Sequence, residues 1–220
     1  MVGLFDSGRG GLNTVRYVKE HHPSVDLVYF IDRERAPYGI KTQNELVRIT
    51  GENVKLLTEM GAQRVLIACC TASTVYHMLP SELRAVSLPI IDAVAENAKS
   101  STRIGRIGVI ATSHTVRSHA FKNALSGYYV HEIALQELVA LIDGGTCDKT
   151  IDDGGIAVLE HMLSPIIEAG CDTLILGCTH FPALIKTIEN ITRPHGIRAL
   201  IDSARIGADL IAGEDKKLKQ

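Results

Sequence analysis

Leu66-Ile67-Ala68-Cys69-Cys70-Thr71 is the stretch that decides the fold prediction, because a similar stretch, Ile175-Leu176-Gly177-Cys178-Thr179-His180, follows later. Each begins with a short apolar run typical of a buried strand and ends in a cysteine followed by polar residues. The two cysteines, Cys69 and Cys178, stand 109 positions apart. This similarity indicates an internal repeat of one structural unit.

Three further pairs of similar segments occur in the same order along the chain. They are Val2-Gly3-Leu4-Phe5 with Ile107-Gly108-Val109-Ile110, Thr14-Val15-Arg16 with Thr115-Val116-Arg117, and Ile90-Ile91-Asp92-Ala93 with Leu200-Ile201-Asp202-Ser203. We therefore predict two similar α/β lobes. The first comprises residues 1–95 and the C-terminal residues 205–220, and the second residues 96–204. A linker is expected at residues 99–102, and Asp92 and Asp202 are expected at equivalent strand ends.

Short apolar runs alternate with patterns of helical periodicity along the chain. Strands are predicted at residues 2–5, 27–31, 65–68, 107–111 and 174–176, and helices at 12–20, 42–60, 116–125, 136–142, 156–168 and 182–191, with another beginning at 72–78. Strands that are apolar on both faces and alternate with helices predict parallel sheets in an α/β fold. The charged residues 214–219 are predicted to form a frayed C-terminal tail.

Composition excludes several classes of protein. The chain has 220 residues, a formal net charge of −2 and 45% hydrophobic residues. There is no basic excess that would suggest a nucleic-acid or membrane-surface partner, and no apolar run of membrane-spanning length. The five cysteines are odd in number and form no CxxC pair, which argues against a disulfide framework and a structural zinc site. We predict a cytoplasmic chain without a metal.

Polar residues follow the predicted strands in both lobes. Asp6-Ser7-Gly8 and Thr112-Ser113-His114 follow the first strand of each lobe, and a cysteine follows a later strand in each. Because ligands bind at the carboxyl ends of parallel strands, two lobes facing each other would place the two cysteines on opposite walls of one cleft. Two thiols that face one carbon suit inversion of a stereocentre, which needs an acid/base group on each face.

Four motifs resemble those of the glutamate racemase family, within the cofactor-independent aspartate/glutamate racemase superfamily. They are Asp6-Ser7-Gly8-Arg9-Gly10-Gly11-Leu12, Pro37-Tyr38-Gly39-Ile40-Lys41, Ala68-Cys69-Cys70-Thr71-Ala72-Ser73 and Leu176-Gly177-Cys178-Thr179-His180-Phe181-Pro182. The resemblance extends from the N-terminus to about residue 204. It implies two lobes, two catalytic cysteines and no cofactor.

The resemblance also implies the role of each site residue. Cys69 would take the α-proton of the D-isomer and Cys178 that of the L-isomer, supported by Asp6 and His180 respectively. The substrate, a small acidic amino acid, would be bound by Ser7, Pro37, Tyr38, Gly39, Cys70, Thr71, Thr112 and Thr179. Asp143 falls where the family has a glutamate near the second cysteine. A homodimer is the family's common state.

Three departures from the family pattern bear on these expectations. Cys70 stands where the family has asparagine, Phe181 stands where it usually has tyrosine, and the chain is a few tens of residues shorter than typical members. A thiol is a weaker hydrogen-bonding group than an amide, so Cys70 bears on substrate identity and catalytic strength.

Other interpretations of these residues stay open. Within the superfamily they are an aspartate racemase, a one-cysteine decarboxylase or isomerase, and a non-catalytic binding homologue. From the residues alone, the glycine-rich turn after the first strand could hold a phosphate, Asp6 could be a phosphotransferase nucleophile, and Cys178 with His180 could form a hydrolase dyad. The glycine-rich turn lacks the ending of a P-loop, and the dyad leaves Cys69 unexplained.

Overall fold

The computed structural model describes residues 1–143 and 153–220 and consists of two four-stranded parallel sheets. The first sheet has the order β2-β1-β3-β4 and comprises β1 (Val2–Asp6), β2 (Leu27–Ile31), β3 (Arg64–Ile67) and β4 (Ser87–Pro89). The second has the order β6-β5-β7-β8 and comprises β5 (Arg106–Ala111), β6 (Tyr129–Ala134), β7 (Thr173–Gly177) and β8 (Ala199–Asp202). The predicted α/β fold with two similar parallel sheets is confirmed.

Strand register shows that the repeat is structural. Gly3 of β1 pairs with Val65 of β3, and Gly108 of β5 pairs with Leu174 of β7. These are the pairings that the repeated segments require. Every residue of β1 and β7 is buried, because helices cover both faces of each sheet.

The helices follow the strands in alternation. They are α1 (Gly11–His21), α2 (Gln43–Glu59), α3 (Cys70–Ser73), α4 (Ser81–Val86), α5 (Ile90–Ser101), α6 (Ser113–Ser118), α7 (Ala120–Ala124), α8 (Gln136–Asp143), α9 (Asp153–Glu168), α10 (Ile185–Thr192) and α11 (Ser203–Leu218). α2 begins with a capping box, in which Thr42 accepts from the Glu45 amide and the Glu45 side chain accepts from the Thr42 amide. Within residues 1–143 and 153–220, no helix is long and apolar enough to cross a membrane.

The predicted linker at residues 99–102 is wrong. α5 continues to Ser101, because Val94, Ala95 and Ala98 are buried in a core to which both sheets contribute. The Lys and Ser residues that suggested a linker lie near the end of this amphipathic helix, on its more accessible face.

The predicted frayed tail is also wrong. Residues 214–218 belong to α11, and the Glu214 and Asp215 side chains are buried. Glu214 forms ion pairs with Arg64 and Lys217, and Asp215 pairs with Lys219. α11 lies against the first sheet, since a Cβ added at Gly207 would be 3.1 Å from Leu66 Cδ2. The lobe boundaries at residues 95/96 and 204/205 stay a prediction.

Two other local predictions need correction. The predicted helix over 116–125 is divided into α6 and α7 at His119, whose φ of 53° lies in the left-handed region. Asp92 and Asp202 are not equivalent. Ile67 of β3 and Leu176 of β7 occupy the same position in the two sheets, and Ile67 pairs with Pro89 whereas Leu176 pairs with Asp202. Asp202 ends β8 and caps α11, whereas Asp92 lies in the first turn of α5.

Candidate active site

A narrow cleft lies between the carboxyl ends of the two sheets. It brings together every predicted site residue except Asp6, which directly precedes Ser7 in its wall. The lining residues are Ser7, Gly8, Ala36, Pro37, Tyr38, Gly39, Cys69, Cys70, Thr71, Thr112, Gln136, Val139, Cys178, Thr179 and His180. The two lobes thus place Cys69 and Cys178 in one cleft, as the repeat predicts.

Cys69 follows β3 and precedes α3 in the first lobe. Its Sγ lies 3.4 Å from Ser7 Oγ, and the residue is 5% exposed. Burial raises the pKa of the Cys69 thiol to about 11, and the nearby Asp6 carboxylate adds to this, while the Ser7 hydrogen bond acts in the opposite direction. The free site therefore holds this thiol protonated at neutral pH.

Cys178 follows β7 in the second lobe, and its partner is two residues away. His180 Nδ1 lies 3.5 Å from Cys178 Sγ, and His180 Nε2 accepts a 3.3 Å hydrogen bond from the Gly10 amide. Because Nε2 accepts, the neutral imidazole carries its proton on Nδ1 and directs it at the sulfur. This arrangement stabilises a thiolate at Cys178.

Asp6 ends β1 and is fully buried. Its Oδ1 accepts from the Gly8 amide at 3.0 Å, and its Oδ2 accepts from Thr179 Oγ1 at 3.0 Å. Burial raises the pKa of Asp6, although the electrostatic interaction with the nearby His180 ring and these hydrogen bonds act in the opposite direction. Asp6 therefore joins the loops of both lobes, and its predicted support of Cys69 stays a prediction.

Three threonine hydroxyls meet on another wall of the cleft. Thr71 Oγ1 lies 2.8 Å from Thr112 Oγ1, and Thr115 Oγ1 lies 2.9 Å from Thr112 Oγ1 and 3.3 Å from Thr71 Oγ1. Thr112 also caps α6 by accepting from the Thr115 amide. Thr115 is not among the predicted site residues, although a threonine three residues after a capping threonine is a signal for such a contact.

Tyr38 is held by a buried polar network. Its hydroxyl donates to Asp32 and accepts from Asn53 Nδ2 at 3.0 Å. Asp32 also accepts from Arg35 Nε at 2.7 Å. Burial by itself would raise the pKa of Asp32, but the hydrogen bonds from Tyr38, Arg35 and Asn53 hold it below its ordinary value.

This network was not predicted; Tyr38 lines the cleft, and its hydroxyl is bonded within the first lobe. Gly39, the next residue, lies against Gln136. A Cβ at Gly39 would be 2.1 Å from Gln136 Oε1, so a side chain there would displace Gln136 or the loop.

The family model described as Asp/Glu/Hydantoin racemase matches residues 13–211. The chain belongs to this racemase family. It is 36% identical to glutamate racemase from Gloeobacter violaceus over 96% of this chain and 80% of that protein. It is 35% identical to glutamate racemase from Aquifex aeolicus over 94% of this chain and 80% of that protein.

Solved structures of the racemase family have the same fold. A glutamate racemase isoform from Bacillus anthracis matches with a TM-score of 0.88 and 27% identity, over 99% of this chain and 82% of that chain. Glutamate racemase from Thermus thermophilus, solved in complex with β-chloro-D-alanine, matches with a TM-score of 0.82 and 28% identity, over 99% and 81%. The predicted family resemblance is confirmed, and with it the prediction of an amino-acid racemase.

The residues that depart from the racemase pattern lie in different surroundings. Cys70 begins α3, lines the cleft and is 2% exposed. Burial raises the pKa of its thiol well above the ordinary value, and the neighbouring Cys178 and Cys69 add to this. Phe181 is fully buried in the second-lobe core. The side chain of Asp143, and Cys147, lie outside the described residues.

The described part of the chain has no group of three or more His, Cys, Asp or Glu residues placed to hold a metal ion.

Proposed function

We propose that the protein interconverts L- and D-glutamate by proton transfer at Cα between two cysteine thiols. The observation that carries this is the presence of Cys69 and Cys178 in one cleft between the lobes, each with its own polar partner. Ser7 Oγ lies beside the first sulfur and His180 Nδ1 beside the second. The family membership supports the reaction class.

In the proposed reaction, one cysteine acts as base and the other as acid. A thiolate on one face removes the Cα proton, and the thiol on the opposite face donates its proton to the resulting carbanion. Cys178 takes the proton of L-glutamate and Cys69 that of D-glutamate. His180 stabilises the Cys178 thiolate by donating from Nδ1. The substrate's ammonium group, entering the cleft, favours the thiolate form of the buried Cys69.

The hydroxyl groups around the cleft are suited to bind the substrate carboxylates. Ser7, Thr71 and Thr112 each present a hydroxyl in the cleft wall, whereas the Thr179 hydroxyl donates to Asp6. Asp6 acts on proton handling through Thr179 and through its charge. No step in this scheme needs an electron sink or a Lewis acid, so we propose that the reaction uses no cofactor and no metal.

Glutamate is favoured as substrate by the relatives. The curated relatives at 35–36% identity are glutamate racemases. Escherichia coli glutamate racemase, solved in complex with L-glutamate, matches with a TM-score of 0.72 and 26% identity. The aspartate racemase of Picrophilus torridus has 19% identity and supports only the fold. A cytoplasmic location and a homodimer stay predictions.

Deuterium incorporation at Cα tests the proposal. The protein is incubated in D₂O with each enantiomer of glutamate and of aspartate, and exchange is followed by NMR while chiral chromatography follows inversion. Both glutamate enantiomers should exchange and invert, in dialysed protein containing a thiol reductant and a chelator. Faster inversion of aspartate, inversion that needs an added cofactor, or exchange without inversion would contradict the proposal.

A further inference from the structure

Three hydrogen bonds cross from the first lobe to the loop that carries Cys178. Asn13 Nδ2 donates to the Thr179 carbonyl at 2.9 Å, the Gly10 amide donates to His180 Nε2 at 3.3 Å, and Thr179 Oγ1 donates to Asp6 Oδ2 at 3.0 Å. Of the three first-lobe groups, only Asn13 lies outside the motifs on which the proposed function rests. It belongs to the first turn of α1.

The Asn13 contact acts on the centre of the loop that carries Cys178, the second cysteine loop. Thr179 lies between Cys178 and His180, so its carbonyl belongs to the peptide that links the acid/base thiol to its histidine. By holding this carbonyl, Asn13 fixes the orientation of the peptide and with it the 3.5 Å approach of His180 Nδ1 to Cys178 Sγ. The amide geometry of Asn13 supplies a short and directed bond.

The same contact does not reach the first thiol. Cys69 follows β3 and is held by groups of its own lobe, with Ser7 Oγ beside its sulfur. α1 meets the second cysteine loop through its amino-terminal turn, and Asn13 is the side chain that makes this bond. The loop that carries Cys69 meets the other lobe at a different place, where the Thr71 hydroxyl lies 2.8 Å from the Thr112 hydroxyl, so the Asn13 bond belongs to the Cys178 loop alone.

We propose that Asn13 is a positioning residue that acts across the lobe interface on Cys178 and His180 alone. This rests on the proposed function for its effect on the reaction. Asn13 touches no reacting atom, and its loss shifts the second cysteine loop while the first keeps its geometry. The effect is one-sided: proton removal from the L-isomer slows, and proton removal from the D-isomer does not.

Racemisation rates cannot reveal such an effect, for a thermodynamic reason. Enantiomers have equal free energies in water, so kcat/KM in the two directions must change by the same factor in any variant. A reaction that needs only one base avoids this constraint. Loss of HCl from 3-chloroglutamate is such a reaction, because the second face does not take part.

In that elimination a thiolate takes the Cα proton, the C–H electron pair forms the Cα–Cβ double bond, and chloride leaves with the C–Cl pair. The enamine tautomerises to an imine, and water hydrolyses it to 2-oxoglutarate and ammonium. Asn13→Ala should slow elimination from the L-isomer at least 10-fold and leave the D-isomer within twofold of wild type. Asn13→Asp, which keeps the size but loses the N–H donor, should behave like Asn13→Ala. Arg16→Ala, at an exposed position on the same helix, is the control and should change neither rate.

A second measurement does not depend on catalysis. Cys178 and Cys69 are 7% and 5% exposed, so burial limits their alkylation by iodoacetamide. In Asn13→Ala, peptide mass spectrometry should show alkylation of Cys178 at least threefold faster, with Cys69 within twofold. If Asn13→Ala does not fold, Asn13→Ser serves in its place, because its shorter side chain also cannot keep this bond.

These measurements separate the two proposals. If the wild-type protein does not racemise glutamate but Cys178 alone responds to Asn13→Ala, the proposed function fails and the positioning role stands. Equal slowing of both eliminations, equal acceleration of both alkylations, or no change at Cys178 would overturn the positioning role, whatever the outcome for glutamate.

Discussion

Gly10 lies where the backbones of the two lobes approach closely near the candidate site, and Gly10→Ala tests whether that approach matters. The backbone of Gly10, with φ −55° and ψ −37°, is one that alanine adopts without strain. The added Cβ, however, would lie 2.4 Å from Thr179 Oγ1, 2.7 Å from the Thr179 carbonyl carbon and 2.8 Å from the His180 nitrogen. Two of these three atoms are backbone, so no side-chain rotation relieves the overlap.

The size of the displacement follows from these distances. To bring the Cβ to an ordinary 3.4 Å from the Thr179 carbonyl carbon, the two loops must separate by about 0.7 Å. The hydrogen bond from Gly10 to His180 Nε2, already 3.3 Å long, would then be lost. A misplacement of about 1 Å near reacting groups costs up to about 100-fold in rate. We expect kcat/KM for glutamate to fall about 100-fold, which equals about 2.7 kcal/mol.

The assay follows L-to-D conversion of glutamate by circular dichroism, with thermal unfolding measured in parallel. Overpacking should lower the stability of Gly10→Ala by about 1–3 kcal/mol, which leaves the protein folded at the assay temperature. Gly213→Ala is the matched control, because a Cβ there meets no atom within 4 Å. It lies in α11 and should gain about 0.5–1 kcal/mol without a change in activity. A folded Gly10→Ala variant that keeps more than a third of wild-type kcat/KM would refute the reasoning.

Four further predictions concern residues of the cleft. Cys69→Ser and Cys178→Ser should each abolish racemisation, measured by circular dichroism, in a folded protein, while elimination from one enantiomer of 3-chloroglutamate survives. Near wild-type racemisation in either variant would exclude the two-base scheme. Cys70→Asn should raise kcat/KM for glutamate several-fold, since a hydrogen bond to a charged group is worth about 1.5–3 kcal/mol, and an unchanged or lower value in steady-state kinetics would show that this thiol does not limit catalysis. Asp32→Ala leaves the Tyr38 hydroxyl without its acceptor and should lower the free energy of unfolding by about 1–3 kcal/mol in urea titrations. Asp32→Asn should lower the free energy of unfolding by less. Because burial raises the pKa of Cys69 to about 11, its reactive thiolate becomes more abundant as pH rises, so alkylation of Cys69 by iodoacetamide should become faster between pH 7 and 9, and a flat profile would contradict this.

Much of the fold could be predicted because the central strands are buried on both faces. Apolar runs such as those of β3 and β7 do not alternate with polar residues, so they are distinct from surface segments. The pairing of Gly3 with Val65 and of Gly108 with Leu174 preserves the repeat. The motif cysteines follow these strands directly. Their place at the carboxyl ends of the strands therefore follows from the topology of parallel sheets, which the sequence pattern predicts.

Other elements could not be predicted from local pattern. The edge strand β6 is only partly buried and contains His131 and Glu132, so it lacks the apolar run of a central strand. The end of α5 has a composition typical of linkers, and it is helical because Ala95 and Ala98 are buried in the core shared by the two lobes. Here tertiary packing decides the secondary structure, and a short stretch of the sequence gives no information about that packing.

The partners of the two thiols show where the repeat stops being informative. By strand register Thr112 is the second-lobe counterpart of Ser7, because Asp6 and Ala111 each end the first strand of their lobe. Ser7 lies beside the cysteine of its own lobe, yet the Thr112 hydroxyl bonds to Thr71 of the other lobe.

The contacts of Asp6 show the same departure. The family resemblance implies that Asp6 supports Cys69, and its side chain also accepts a hydrogen bond from Thr179 in the second lobe. Likewise, the imidazole of His180 is oriented by Gly10 of the first lobe. Repetition places the two thiols in equivalent positions, whereas the contacts that orient His180 and hold Asp6 cross between two lobes that are no longer identical. The proposed two-base reaction would benefit from this asymmetry, because one thiol must be ionised while the other keeps its proton.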